Sequence, residues 1–190
     1  MTDLLTIGVD AWIIQDGNYP DFARDDRAAF AVEFYASAAL NQAEPKSSLL
    51  PSLVNTEPAH YEALGESSTW PMTGGRLMSA RFSSARRSPP INVRLGNWMS
   101  GEIYVGVDPY FYFERLAYQP DAPGLIYDWR VEKIEMQTAP FIKRGRMIIR
   151  DAAQLGWKEI AQTDAWADDY GNAKYVLHCR RVSRAGRRTR

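Results

Sequence analysis

The sequence predicts a mainly β fold: a single-domain antiparallel barrel or barrel-like sandwich of about seven or eight strands, with one or two short helices. Three observations predict it. Apolar residues alternate with polar ones at a period of two in several short runs separated by turn residues. Aromatic residues make up 12% of the chain, six of them Trp, a composition that favours rings packed across strands. Seven of the 17 Phe and Tyr residues and one Trp fall between Ile103 and Gln137, which makes that stretch the centre of the predicted core.

The strands follow in order. Ile7, Val9, Ala11 and Ile13 alternate with Gly8, Asp10, Trp12 and Ile14, a first strand ended by the turn Gln15 to Asp21. Phe30, Val32 and Phe34 define a second strand, expected to run antiparallel to the first. Residues 38–74 form an irregular insertion, because Pro45, Pro51, Pro58 and Pro71 interrupt every periodic run. A capped helical turn from Thr56 to Gly65 is the one regular element expected there. Met78 to Phe82, Ile91 to Leu95 and Ile103 to Val107 are the next short strands, with Arg86 to Pro90 as a turn.

Asp108-Pro109 is a good helix start, so Asp108 to Tyr118 is read as a helical turn plugging one barrel end. The central strand follows. Leu125, Tyr127, Trp129 and Val131 occupy one face, but Ile134 and Met136 fall on the opposite parity. One extra residue near Glu132 and Lys133, a β-bulge, would return them to the core. Trp157 to Thr163 and Lys174 to Val182 then suggest a closing hairpin, with Tyr175, Leu177 and Cys179 inward. The nearest architectural comparison is an oligonucleotide-binding (OB-like) barrel, which this pattern resembles in layout alone.

One domain spanning 1–182 is expected from the 190-residue length, followed by a disordered basic tail at 183–190. From Arg180 onward there are six Arg and no acid, leaving 17 basic and 23 acidic side chains in residues 1–179, a balance of −6. An acidic body with one basic end argues against extensive binding of nucleic-acid backbone, although the tail would give weak, non-specific attraction. The opening MTDLLTIGVDAW lacks the features of a signal peptide, and no apolar run reaches membrane-spanning length. With Cys179 the single cysteine, a cytoplasmic location and no membrane association are expected.

Chemistry is mostly excluded. There is no phosphate loop, nucleophile elbow, metalloprotease helix or paired-cysteine motif, and only His60 and His178 could serve as imidazole ligands, so no cofactor, metal or catalytic residue is expected. His178 and Cys179 are adjacent on a strand and point to opposite faces, which reads as a core thiol beside an outward imidazole. Asp164, Asp168 and Asp169 read as a solvated turn, and Asp128, Arg130 and Glu132 as a salt-bridge ladder, each in preference to a metal or acid/base site.

Candidate ligand-binding residues are the aromatic set Tyr19, Phe22, Tyr104, Tyr110 and Tyr112, with Arg130 as a cationic neighbour. Tyr19 and Phe22 lie on a predicted turn suited to partner contact, and the others suit stacking. The function expected is a non-catalytic binding or assembly module acting through aromatic loops, with a protein partner or self-association. The alternatives are a nucleic-acid-binding barrel with an arginine tail, and a carboxylate enzyme using Asp108, Asp128 or Glu132 with residues 38–74 as a lid.

Overall fold

A computed structural model describes residues 4–36, 38–46, 48–51, 58–70, 74–78, 83–86, 97–109, 112, 114, 117–118, 122–183 and 185–188. The protein is mainly β. Its strands are β1 (Leu4–Asp10), β2 (Arg27–Ala36), β3 (Asn41–Gln42), β4 (Ser48–Pro51), β5 (His60–Trp70), β6 (Gly74–Met78) and β7 (Ser83–Arg86), followed by β8 (Trp98–Val107), β9 (Ile126–Gln137), β10 (Phe141–Arg144), β11 (Met147–Arg150), β12 (Trp157–Ile160) and β13 (Lys174–Arg181). A five-residue helix, α1 (Ala11–Gln15), follows β1. Among the described residues, all strands but β10 and β11 join one eleven-stranded sheet, and those two pair with each other.

The central strand is long and bulged, as its sequence pattern predicts. Opposite β9, Cys179 pairs with Val131 and His178 with Lys133, so Glu132 is the extra residue. Tyr127, Trp129 and Val131 before it, and Ile134 after it, all reach the buried side. Trp129 is fully buried, stacks on Phe30 at 5.5 Å and donates its indole N–H to the Phe30 carbonyl (3.1 Å).

Five strands share one core. β9 pairs with β13, β13 with β1, β1 with β8, β8 with β2, and β2 with β9, all antiparallel except β1–β8. Leu5, Ile7, Val9, Phe30, Val32, Phe34, Val105, Val107, Trp129, Val131, Leu177 and Cys179 belong to a single apolar cluster. Each buried aliphatic side chain there contributes roughly 1.5–3 kcal/mol from the area removed from water. A second cluster, of Ala31, Tyr112, Ala117, Leu125 and Ile126, lies on the other face of β2 and β9. Among the described residues, no helix is long and apolar enough to cross a membrane.

Several local expectations are corrected. The first strand ends at Asp10 because Ala11, Ile13 and Ile14 bury together as a helical turn, with Trp12 outward. β2 does run antiparallel to β1, as expected, but not beside it, since β8, parallel to β1 and antiparallel to β2, lies between them. The stretch from His60 expected to be helical is strand β5, paired with β8 from His60 to Glu66. β12 pairs with β9 rather than with β13, so the expected closing hairpin is absent. At Tyr112 the chain does turn helically, with the Ala117 N–H donating to the Tyr112 carbonyl at 2.8 Å, an i to i+5 bond. The Ile91 to Leu95 strand lies outside the described residues.

Part of the stretch expected to be a loose tail is anchored. Arg187 exchanges two backbone hydrogen bonds with Ile126 (3.0 and 2.8 Å), and its guanidinium donates to Asp128 at 2.6 Å. The Ser183 hydroxyl accepts the Asp128 N–H at 3.0 Å.

Candidate functional site

On the outer face of the sheet, Glu33 of β2, Gly106 of β8, Gly8 of β1 and Val176 of β13 lie side by side across four strands. Two adjacent glycines leave the middle of this row without side chains, and glycine inside a strand often marks such a close approach. The ring of Tyr104 fills part of the gap: a Cβ on Gly8 would overlap its hydroxyl. What remains is a cavity of about 390 Å³, within the usual range for small-ligand pockets.

Besides β8, which supplies Tyr104, its walls come from six segments. Glu33 and Tyr35 stand on β2, Pro58 and His60 at the start of β5, and Gln137 and Trp157 at the paired ends of β9 and β12. Lys174 from β13, and Asp10, Trp12 and Ile13 around α1, complete the rim. The His60 ring lies 5.2 Å from that of Tyr104, and Tyr35 lies 6.4 Å from it on another side.

Glu33 is 4% exposed, and its carboxylate accepts the Tyr35 hydroxyl. A buried carboxylate needs such donors to offset lost hydration. Gln137 is also buried. Among the described residues the Trp157 indole N–H is buried without a hydrogen-bond partner. An unpaired buried donor costs roughly 1–3 kcal/mol.

Of the aromatic candidates among the described residues, only Tyr104 lines this cavity. Tyr19 and Phe22 fold back into the core against Phe30, at 6.5 and 5.9 Å, and the Tyr19 hydroxyl donates to the Asp108 carbonyl (2.8 Å). Burial leaves them little surface for a partner, although both contribute to a second cavity of about 220 Å³. Tyr112 is a core residue whose hydroxyl donates to the Pro123 carbonyl and accepts the Leu125 N–H, and burial pushes its pKa up. Arg130 pairs at 3.4 Å with Asp25 on an exposed face. Tyr110 lies outside the described residues.

The carboxylates considered for catalysis do not converge. Asp108 is buried and accepts the Tyr112 N–H at 3.1 Å. Asp128 pairs with Arg187 and Glu132 with Arg180, so the ladder's charges are satisfied by other segments. The Arg187 hydrogen bond holds the Asp128 carboxyl below its ordinary range. Burial would raise Glu135, but hydrogen bonds from Lys133 and His178 outweigh it and hold that carboxyl low. Cys179 is fully buried and its thiol is pushed far up by burial, while His178 turns outward to Glu135 at 2.6 Å.

Asp164 and Asp168 accept hydrogen bonds within their own turn, and Asp169 pairs with Arg150. No group of three or more possible metal-ligating side chains occurs among the described residues. The sequence offered two signals for the cavity, glycines inside strand patterns at Gly8 and Gly106, and an acid inside the apolar run around Glu33. Compared with protein-family models, curated proteins and solved structures, the chain matches none.

Proposed function

We propose that the chain is a non-catalytic binding module on an OB-like barrel, taking a small ligand in the Tyr104 cavity. The cycle of five pairings supports the barrel. An OB-type barrel orders its strands 1-2-3-5-4 and back to 1, with the 3–5 contact alone parallel. Taking β1, β2, β8, β9 and β13 as its third, fourth, fifth, first and second strands reproduces each of these five pairings and its direction. The helix of that fold, between strands three and four, then corresponds to α1. Such barrels bind on the face of their second and third strands, here β13 and β1.

The observation that carries the functional reading is the cavity above Gly8 and Val176, on that same face. Its chemistry defines the ligand class. Trp12, Tyr35, Tyr104 and Trp157 offer flat apolar surface, Glu33 and Asp10 accept hydrogen bonds, and the Trp157 indole donates. A neutral or cationic ring bearing hydroxyl or amino groups fits, whereas a polyanion would meet two carboxylates. The single, buried thiol agrees with a cytoplasmic location.

Ligand-observed NMR with a panel of neutral saccharides, nucleosides and cyclic amines tests this. The expected result is binding by one class that Trp157→Phe weakens by about 5- to 10-fold, the cost of one hydrogen bond. Absence of binding across the panel, or binding indifferent to both Trp157→Phe and Glu33→Gln, would refute it.

A further inference from the structure

We propose that the β10–β11 hairpin, with the loop at its base, is a second binding surface, specific for single-stranded nucleic acid and independent of the cavity. Residues 138–150 carry four cations and no acid. Arg150 is engaged at the base, where it donates to the Ala139 and Asn172 carbonyls (3.1 and 3.2 Å), pairs with Asp169 and lies 4.8 Å from the Phe141 ring centre. Lys143, Arg144 and Arg146 have no ion-pair partner among the described residues. They surround the Gly145 turn at the hairpin's far end.

Apolar groups stand with them. Met147 is 64% exposed and Ile148 73%, and Phe141 and Ile142 are also exposed. The cross-strand pairs Lys143–Ile148 and Arg144–Met147 put a cation and an apolar side chain together on each face of the ribbon. Arg150 ties this ribbon to the 169–172 segment, where Asp169 (φ 49°) and Tyr170 (φ 54°) both hold left-handed backbone. That conformation is costly for two successive non-glycine residues. It presents Tyr170 at 90% exposure, with Trp166 at 70% exposure on the same loop. The loop's acids are turned to internal partners: Asp168 accepts the Tyr175 hydroxyl at 2.9 Å, Asp164 accepts the Ala167 N–H at 3.0 Å, and Asp169 meets Arg150.

Cations at a protruding tip and uncovered rings behind them match what an unpaired strand offers, phosphates for the former and base faces for the latter. A duplex hides its base faces. A membrane is disfavoured because the most distal residues, Arg144 and Arg146, would enter the hydrocarbon ahead of the apolar ones. Self-association through the tip would bring like charges together.

Fluorescence anisotropy of the full chain with a labelled oligo(dT) of about 20 nucleotides, against a duplex of equal length and phosphatidylserine vesicles, tests the proposal. At about 50 mM salt the strand is expected to bind, with K143A/R144A/R146A weakening it by about tenfold or more and flattening the log–log salt slope by about 2. Tyr170→Gly is expected to weaken binding by about 5- to 100-fold at unchanged slope, without lowering the melting temperature, since glycine accepts the left-handed backbone. The proposal is overturned by no binding, by equal affinity for the duplex, by a preference for vesicles, by indifference to both variants, or by loss of binding only when residues 183–190 are removed.

Discussion

Trp129 and Phe30 lie ring on ring at 5.5 Å, and the indole of the first donates to the backbone carbonyl of the second at 3.1 Å. One side chain thus joins β2 to β9 through both apolar contact and a buried hydrogen bond. Trp129→Ala is expected to destabilise the fold by about 3–5 kcal/mol, and Trp129→Phe by less because a ring remains. Urea unfolding of the two variants measures the difference.

The bulge at Glu132 makes a sharper prediction. Deleting Glu132 alone leaves Lys133 next to Val131 and the ladder to Cys179, His178 and Leu177 regular, so Ile134 keeps its buried face; deleting Glu132 and Lys133 together turns Ile134 outward, because side chains alternate strictly along an unbulged strand. The single deletion is expected to keep cooperative unfolding and the double deletion to lose it; circular dichroism melts distinguish the two.

Asp128 and Arg187 set a pH dependence. The folded carboxyl lies below its ordinary pKa, so its stabilisation is present at neutral pH and disappears as pH falls through the folded value. Both side chains are about 40% exposed, so solvent screening limits the effect to roughly 0.5 kcal/mol. Asp128→Asn should therefore be less stable than wild type at about pH 7 and indistinguishable from it near pH 2.

Gly8 and Tyr104 are coupled by contact. Gly8→Ala alone should cost about 1–3 kcal/mol by displacing the ring. The same change in a Tyr104→Ala background should cost less, and a double-mutant cycle gives the coupling directly.

Cys179 is predicted to resist iodoacetamide until denaturant is added. It is fully buried with its thiol pKa raised, and the thiolate is the reactive form.

Much of the fold was legible where burial imposes a period. The run from Tyr127 to Val131, the parity slip after it, and the inward set Tyr175, Leu177 and Cys179 could all be read from spacing, because each strand keeps one face in a common core. Ala11 to Gln15 was not legible as a helix, since apolar residues on both parities also fit a strand buried on two sides. β5 was masked by neighbouring prolines, which constrain only their own positions. The order of pairing depends on contacts between distant segments, which no local pattern encodes. The same applies to the cavity: Glu33, His60, Gln137 and Trp157 come from four separate stretches, and each alone is an unremarkable polar or aromatic residue.

β1 and β13 are paired from Leu4–Arg180 to Asp10–Lys174, so an early segment of the chain finds its main neighbour only after some 160 further residues have been made. On the ribosome, β1 must therefore wait with an open edge for most of translation. Closure of the sheet becomes a late, all-or-none event, and truncation before residue 174 should yield a chain bound by holding chaperones rather than a smaller folded one.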